Sequence, residues 1–259
     1  FVVWNDSTWH PDWLGVFLIP EMSKPGILKS SIAKKYAMAL TGLFLCLFLV
    51  GHLLGNLQLF IPGEKGQTAF NEYALFMTTF PAVKVLSYLT YGSVLFHLVD
   101  GIVLTIQNRK ARPVRYAVEK GAANSGWSSR NMALLGTIVL VFIVTHMQNF
   151  WWKMHFSEMP KQFVEGVELK DLYTVVLDYF NPAVNSFALA AVSLYVVGMV
   201  ALGFHLWHGF ASGFQSLGVR HLTYTRWIEM AGKVFAVAVP LAFALIPLYL
   251  FITQWLTHD

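Results

Sequence analysis

Residues 36–61 read YAMALTGLFLCLFLVGHLLGNLQLFI, with one histidine and no Asp, Glu, Lys or Arg. At about 1.5 Å per residue, a helix of this stretch outspans the roughly 30 Å hydrocarbon core of a bilayer. Four further apolar runs follow, at 81–106, 132–152, 185–214 and 227–255. The last contains Pro240 and Pro247, which kink a membrane helix without excluding it. These runs are too long for barrel strands of about 10 residues. Lipid requires every backbone amide to pair within its own segment, so the runs are read as helices. The expected fold is an all-α integral membrane bundle of five transmembrane helices.

Composition supports this. The 259-residue chain is 56% apolar and 12% charged, with a mean hydropathy of +0.54. Soluble domains average about 45–50% apolar and about 25% charged. The net charge of +4 needs no nucleic-acid partner, because the basic residues follow membrane topology. Lys24, Lys29, Lys34 and Lys35 precede the first span. Arg109, Lys110, Arg112, Arg115, Lys120 and Arg130 lie between spans two and three, and Arg220, Arg226 and Lys233 around the start of span five. The other side holds only Lys65, Lys84, Lys153, Lys161 and Lys170. An excess of basic residues marks cytoplasmic loops, so the N-terminus is expected in the cytoplasm and the C-terminus outside. Trp151, Trp152, Trp227 and Trp255 fall at span ends, where an aromatic belt sits.

Residues 1–29 are expected to form an N-terminal cytoplasmic segment, without a secretory signal peptide, and 30–259 the membrane domain. The longest outer loop, 153–182, is acidic, and its piece 172–180 is expected to form a short interfacial helix. The single cysteine, Cys46, excludes an internal disulfide framework, a Cys-ligated iron–sulfur cluster and a C-x-x-C-H haem attachment. It is read as a packed core thiol.

Histidines carry the functional signal. Ionisable residues inside spans are costly and mark functional sites by default. The first four spans carry His52, His97, His146, and His205 with His208; the fifth carries none. Neutral imidazole is a good iron ligand, and two imidazoles from facing helices make a bis-His haem site. Counting along each helix from the outer side, His52 lies roughly 15 Å inside Pro62 and His146 roughly 10 Å inside Lys153. His97 lies roughly 20 Å inside Lys84 and His205 roughly 30 Å inside Asn185. Two levels are therefore expected: His52 with His146 on an outer, distal haem, and His97 with His205 on an inner, proximal one. Gly55, Gly101 and Gly209 share helix faces with His52, His97 and His205 and would let a flat macrocycle approach. His146 has Phe150 at the matching position. Spacing alone does not separate His205 from His208 as the ligand. His10, His155, His221 and His258 are read as surface residues.

Anionic haem propionates want donors or cations. Inner candidates are Ser31, Lys34, Lys35, Arg109 and Arg130; outer candidates are Asn56, Gln58, Gln148, Asn149 and Lys153. Glu64 and Glu72 are candidates for proton exchange with quinone. Asp100 is the one acid deep within the first four spans, and is expected to hydrogen-bond a neighbouring helix or to meet the haem site or proton traffic.

The runs SSIAKKYAMALTG at 30–42, GHLLGNL at 51–57, FHLVDG at 96–101 and GFHLWHGFASGFQSLG at 203–218, in this order and spacing, closely resemble the cytochrome b subunit of succinate:quinone oxidoreductases. The resemblance is to the single-subunit, five-helix, dihaem class and covers about 30–259. It implies two b haems and a membrane anchor in the bacterial cell membrane. It also implies a FAD-containing flavoprotein and an iron–sulfur subunit as partners, and electron transfer to or from quinone, expected to be menaquinone. It implies the same pairing of spans one with three and two with four, and it places the span-four ligand directly after Phe204, at His205, with His208 supporting. Some menaquinol-oxidising relatives carry a Glu shortly before that ligand. Here Gly203 and Phe204 stand there, which argues against a proton path through that helix. Alternative readings are a dihaem cytochrome b of another respiratory enzyme, such as a hydrogenase or formate dehydrogenase, and a transporter whose histidines relay protons.

Overall fold

The computed structural model describes residues 31–111, 123 and 125–256. The N-terminal segment 1–29, with Lys24, Lys29 and His10, lies outside the described residues, as do Arg112, Arg115, Lys120 and His258.

Among the described residues, five helices are long and apolar enough to cross a membrane: Ile32–Phe60, Pro81–Lys110, Met132–Phe156, Ala188–Ser216 and Thr225–Leu256. The all-α membrane bundle is thus observed. Among the described residues, the helices longer than a single turn are α1 (Ser31–Asn56), α2 (Gly63–Thr79), α3 (Pro81–Lys110), α4 (Met132–His146), α5 (Leu172–Phe180), α6 (Ala188–Ser216) and α7 (Thr225–Leu256). A 3-10 turn, Leu57–Phe60, extends α1. A π-helical segment, Met147–Trp152, continues α4 directly after His146. α3 begins with Pro81 in its first turn, where a missing N–H costs nothing, and ends on Arg109 and Lys110, which complement the helix dipole.

α6 is the central helix, packed against α7, α4 and α1. Its contact with α7 depends on glycine. Pro240 has no N–H, so the Ala236 carbonyl one turn earlier is left without its helical donor. A Cβ on Gly203 would stand 3.1 Å from that carbonyl oxygen, and one on Gly232 would stand 2.7 Å from Phe210. Close backbone approach of this kind holds membrane helices together where lipid removes the hydrophobic drive. Leu47, Leu54, Val85, Leu89, Val144 and Val234 are exposed along the spans, as lipid-facing residues must be.

At one end α2, a hairpin and α5 form a cap. The stretch between the first two spans is helical: Phe70, Asn71 and Ala74 bury one face while Glu64 and Glu72 stay exposed. The hairpin pairs Lys161–Val164 with Val167–Lys170 antiparallel, an exception to an all-helical chain. Its turn residues Glu165 and Gly166 both have positive φ (47° and 82°), as a tight two-residue hairpin turn requires. α5 occupies the stretch 172–180 read as a short helix. Leu59, Phe70, Tyr173, Val176 and Phe180 form the cap's core together with Val192, Tyr195, Ile246 and Leu250 of the bundle.

A polar cluster fastens the cap. Asn71 is fully buried; its amide donates to Asp171 Oδ1 (2.8 Å) and Gln162 Oε1 (2.9 Å), and its oxygen accepts the Tyr173 N–H (3.0 Å). Gln67 and Thr174 donate to Asp171 Oδ2 at 2.6 and 2.7 Å. Burial alone would raise the Asp171 carboxyl, but these donors from Thr174, Asn71 and Gln67 outweigh it and hold it below the usual carboxylate range.

Candidate functional site

Four histidines from four spanning helices meet in two pairs. The His52 and His146 ring centres are 5.7 Å apart, and those of His97 and His205 6.0 Å apart. The pairs lie at different depths. His97 reaches Thr41 of α1, eleven residues before His52 in the same helix, roughly 16 Å along its axis. His146 reaches Tyr195 of α6, ten residues before His205, roughly 15 Å along that axis. The His52–His146 pair, outer in the expected orientation, sits beneath the cap, and the His97–His205 pair, inner in that orientation, lies toward the ends carrying Lys34, Lys35 and Arg109.

Aromatic rings and hydroxyls surround these imidazoles. His52 stacks on Phe48 (5.3 Å) and lies against Phe243 (5.6 Å); His146 stacks on Phe142 (5.5 Å) and meets Phe150 edge-on (5.4 Å). His146 Nδ1 is 3.3 Å from the Tyr195 hydroxyl and His97 Nδ1 is 3.3 Å from Thr41 Oγ1. His52 Nδ1 has the Asn56 amide nitrogen at 3.5 Å. His205 Nδ1 is buried without a hydrogen-bond partner.

The donor set fits haem iron. The two ring pairs, 5.7 and 6.0 Å apart at their centres, bring imidazole nitrogens of facing helices near enough that each pair could hold one metal ion between them. Among the described residues His, Cys, Asp and Glu do not gather into groups of three or more. Two imidazoles from facing helices are the donor set that a bis-His haem would need. A side chain on Gly51 or Gly209 would meet nothing within 4 Å, so both helices offer open faces beside their histidines.

Other candidates distribute unevenly. Gly55 fits a different neighbour: a Cβ there would stand 2.3 Å from the Tyr73 ring, so this glycine admits α2 to α1. A Cβ on Gly101 would make ordinary contact with Met38 (3.7 Å). His208 is half-buried one turn beyond His205. Ser31 opens α1. Lys34 is half-buried, and Lys35, Arg109 and Arg130 are exposed, with Arg130 donating to the Ser125 carbonyl. Asn149 donates to the Tyr179 hydroxyl (2.8 Å); Gln148 and Lys153 are exposed, and Gln58 is half-buried. Glu64 and Glu72 line a shallow surface depression with Lys65, Thr68 and Ala69. Asp100 is buried one turn beyond His97, with its Oδ2 unpartnered. Cys46 is packed beside Leu206 and Ala236. His155 stacks on Trp151 at the surface, and His221 accepts the Thr223 N–H in an exposed turn.

Sequence reading missed Thr41, Gly42 and Tyr195 as neighbours of the histidines. Thr41 and Gly42 occur in a motif quoted above, yet nothing in their spacing shows that α3 crosses α1 there. Tyr195 gives a weak signal as a lone hydroxyl in an apolar helix. No family model, curated protein or solved structure matches the chain.

Proposed function

We propose that the chain is the membrane anchor and electron-transfer subunit of a succinate:quinone oxidoreductase, holding two b haems in tandem across a bacterial cell membrane. The observation that carries this reading is the opposition of four membrane histidines in two pairs, at 5.7 and 6.0 Å, on two levels. Haem iron held by two imidazoles supplies reversible one-electron transfer.

The protein's own residues bind and insulate. His52 and His146 hold the outer group, and His97 and His205 the inner. Phe48, Phe142, Phe150 and Phe243 keep the outer imidazoles in an apolar environment, where solvent access is low and potential is set by near neighbours. Lys34, Lys35, Arg109 and Arg130 gather at the inner side, which in this reading is cytoplasmic and receives the iron–sulfur subunit with its FAD-bearing flavoprotein. His208 supports the inner group. Quinone, taken as menaquinone, exchanges electrons from the lipid phase, with Glu64 and Glu72 as candidates for its protons.

Purification of the tagged chain from native membranes tests this, with the partners identified by mass. A flavoprotein and an iron–sulfur subunit are expected to co-purify, and succinate is expected to reduce b-type absorption bands. A hydrogenase or formate dehydrogenase partner would reassign the complex. Absence of b bands would remove the dihaem reading.

A further inference from the structure

We infer that Thr41 and Tyr195 are positioning residues, one for each histidine pair: Thr41 fixes the tautomer of His97 and Tyr195 the orientation of the His146 ring, leaving Nε2 of each as the metal-binding atom. The inference rests on the dihaem reading and extends it to residues outside the ligand set.

Thr41 Oγ1 lies 2.7 Å from the Ala37 carbonyl and 3.2 Å from the Met38 carbonyl. Its single hydrogen is therefore committed within its own helix, and its oxygen faces His97 Nδ1 as an acceptor, beside the Met38 carbonyl, which also takes a hydrogen bond from this imidazole. That contact is a hydrogen bond only when Nδ1 carries the proton. A neutral imidazole has one N–H, so Nε2 then presents a lone pair to a metal. Tyr195 places its hydroxyl against His146 Nδ1 at the outer level, but its hydrogen is not committed elsewhere among the described residues, so it orients the ring without selecting the tautomer. It is 7% exposed, and among the described residues its hydroxyl finds a hydrogen-bonding partner only in His146 Nδ1. Phe142, Phe180 and Tyr179 pack around its ring at 5.0, 5.1 and 6.0 Å and hold the hydroxyl in place. A phenol can donate or accept, and ligation through Nε2 requires it to accept.

The opposite ligands lack such help. Beside His52 Nδ1 stands the Asn56 amide nitrogen, a donor that cannot accept a ring N–H, and His205 Nδ1 has no partner. Each pair thus combines one oriented imidazole with one unassisted. Both oriented contacts exceed the usual range of about 2.7–3.2 Å, so a measurable but modest effect follows. An acceptor on Nδ1–H makes the ligand more basic and favours the oxidised metal, so its removal should raise the midpoint potential.

Potentiometric titration of the full chain in its purified complex tests the inference. Thr41→Val should raise one haem midpoint and Tyr195→Phe the other, with two haems retained in both variants. Thr41→Ser should restore the first. Unmoved midpoints with two haems retained, or both variants moving the same midpoint, would overturn the assignment. A wild-type complex without b haem would instead end the dihaem reading itself.

Discussion

Gly42 lies directly against the His97 imidazole: a Cβ built on it would stand 3.1 Å from His97 Cε1. The absent side chain sets how closely α1 and α3 approach at the inner pair. Gly42→Ala should push the ring and disturb the inner site, reducing inner haem or shifting its midpoint. Gly51→Ala, one residue before His52, meets nothing within 4 Å of the new methyl group and should leave the inner site as it was. Paired optical titrations of the two variants check this; equal behaviour would contradict it.

The pairs are separate in depth, so their losses should be separate. His52→Ala or His146→Ala should remove the outer haem and keep the inner. His97→Ala or His205→Ala should do the reverse. Pyridine haemochrome analysis would read a fall from two haems to one in each case. Loss of both from a single substitution, in a chain that still inserts and folds, would mean that the levels are not independent.

His208 separates from His205 in the same way. It lies about 4.5 Å further along α6, whereas His205 is the residue opposed to His97. His208→Ala should keep two haems and at most move a midpoint. Loss of a haem in His208→Ala, with two retained in His205→Ala, would transfer the ligand to His208.

The cap should be sensitive to acid through Asp171. Its folded pKa is depressed, because hydrogen bonds overcome the opposing effect of burial. A depressed carboxyl stabilises fully above its unfolded pKa of about 4, and the contribution is lost as pH falls through the lower folded value. Asp178 moves the other way, raised by burial and by the Asp171 charge. Asp171→Asn should cost about 1.5–3 kcal/mol at neutral pH, the usual worth of hydrogen bonds to a charged group, and should weaken the acid dependence. Thermal unfolding in detergent across the acid range, with proteolysis of the α2 to α5 region as local readout, would show it. An unchanged melt and acid limb would contradict it.

The spans were legible because lipid imposes a simple condition, an unbroken run of about 20 apolar residues. The histidine depths were legible because rise per residue is constant. The cap was not. α2 mixes Glu64, Lys65 and Gln67 with two glycines, and its reason to be helical is the buried Asn71 contact with Asp171, a hundred residues away. The hairpin did leave a signal in Glu165-Gly166 between short β-prone stretches, overshadowed by the acidic composition of its loop. Gly55 shows the limit of face-sharing arguments, since one face of α1 can meet Tyr73 as readily as a macrocycle.

The most direct test of the account is the haem content of the purified chain. Pyridine haemochrome analysis against protein mass should give two b haems per chain, both low-spin, as four imidazoles in two opposed pairs require. A ratio of one would mean that one pair does not bind haem, and a ratio of zero would contradict the account at its centre.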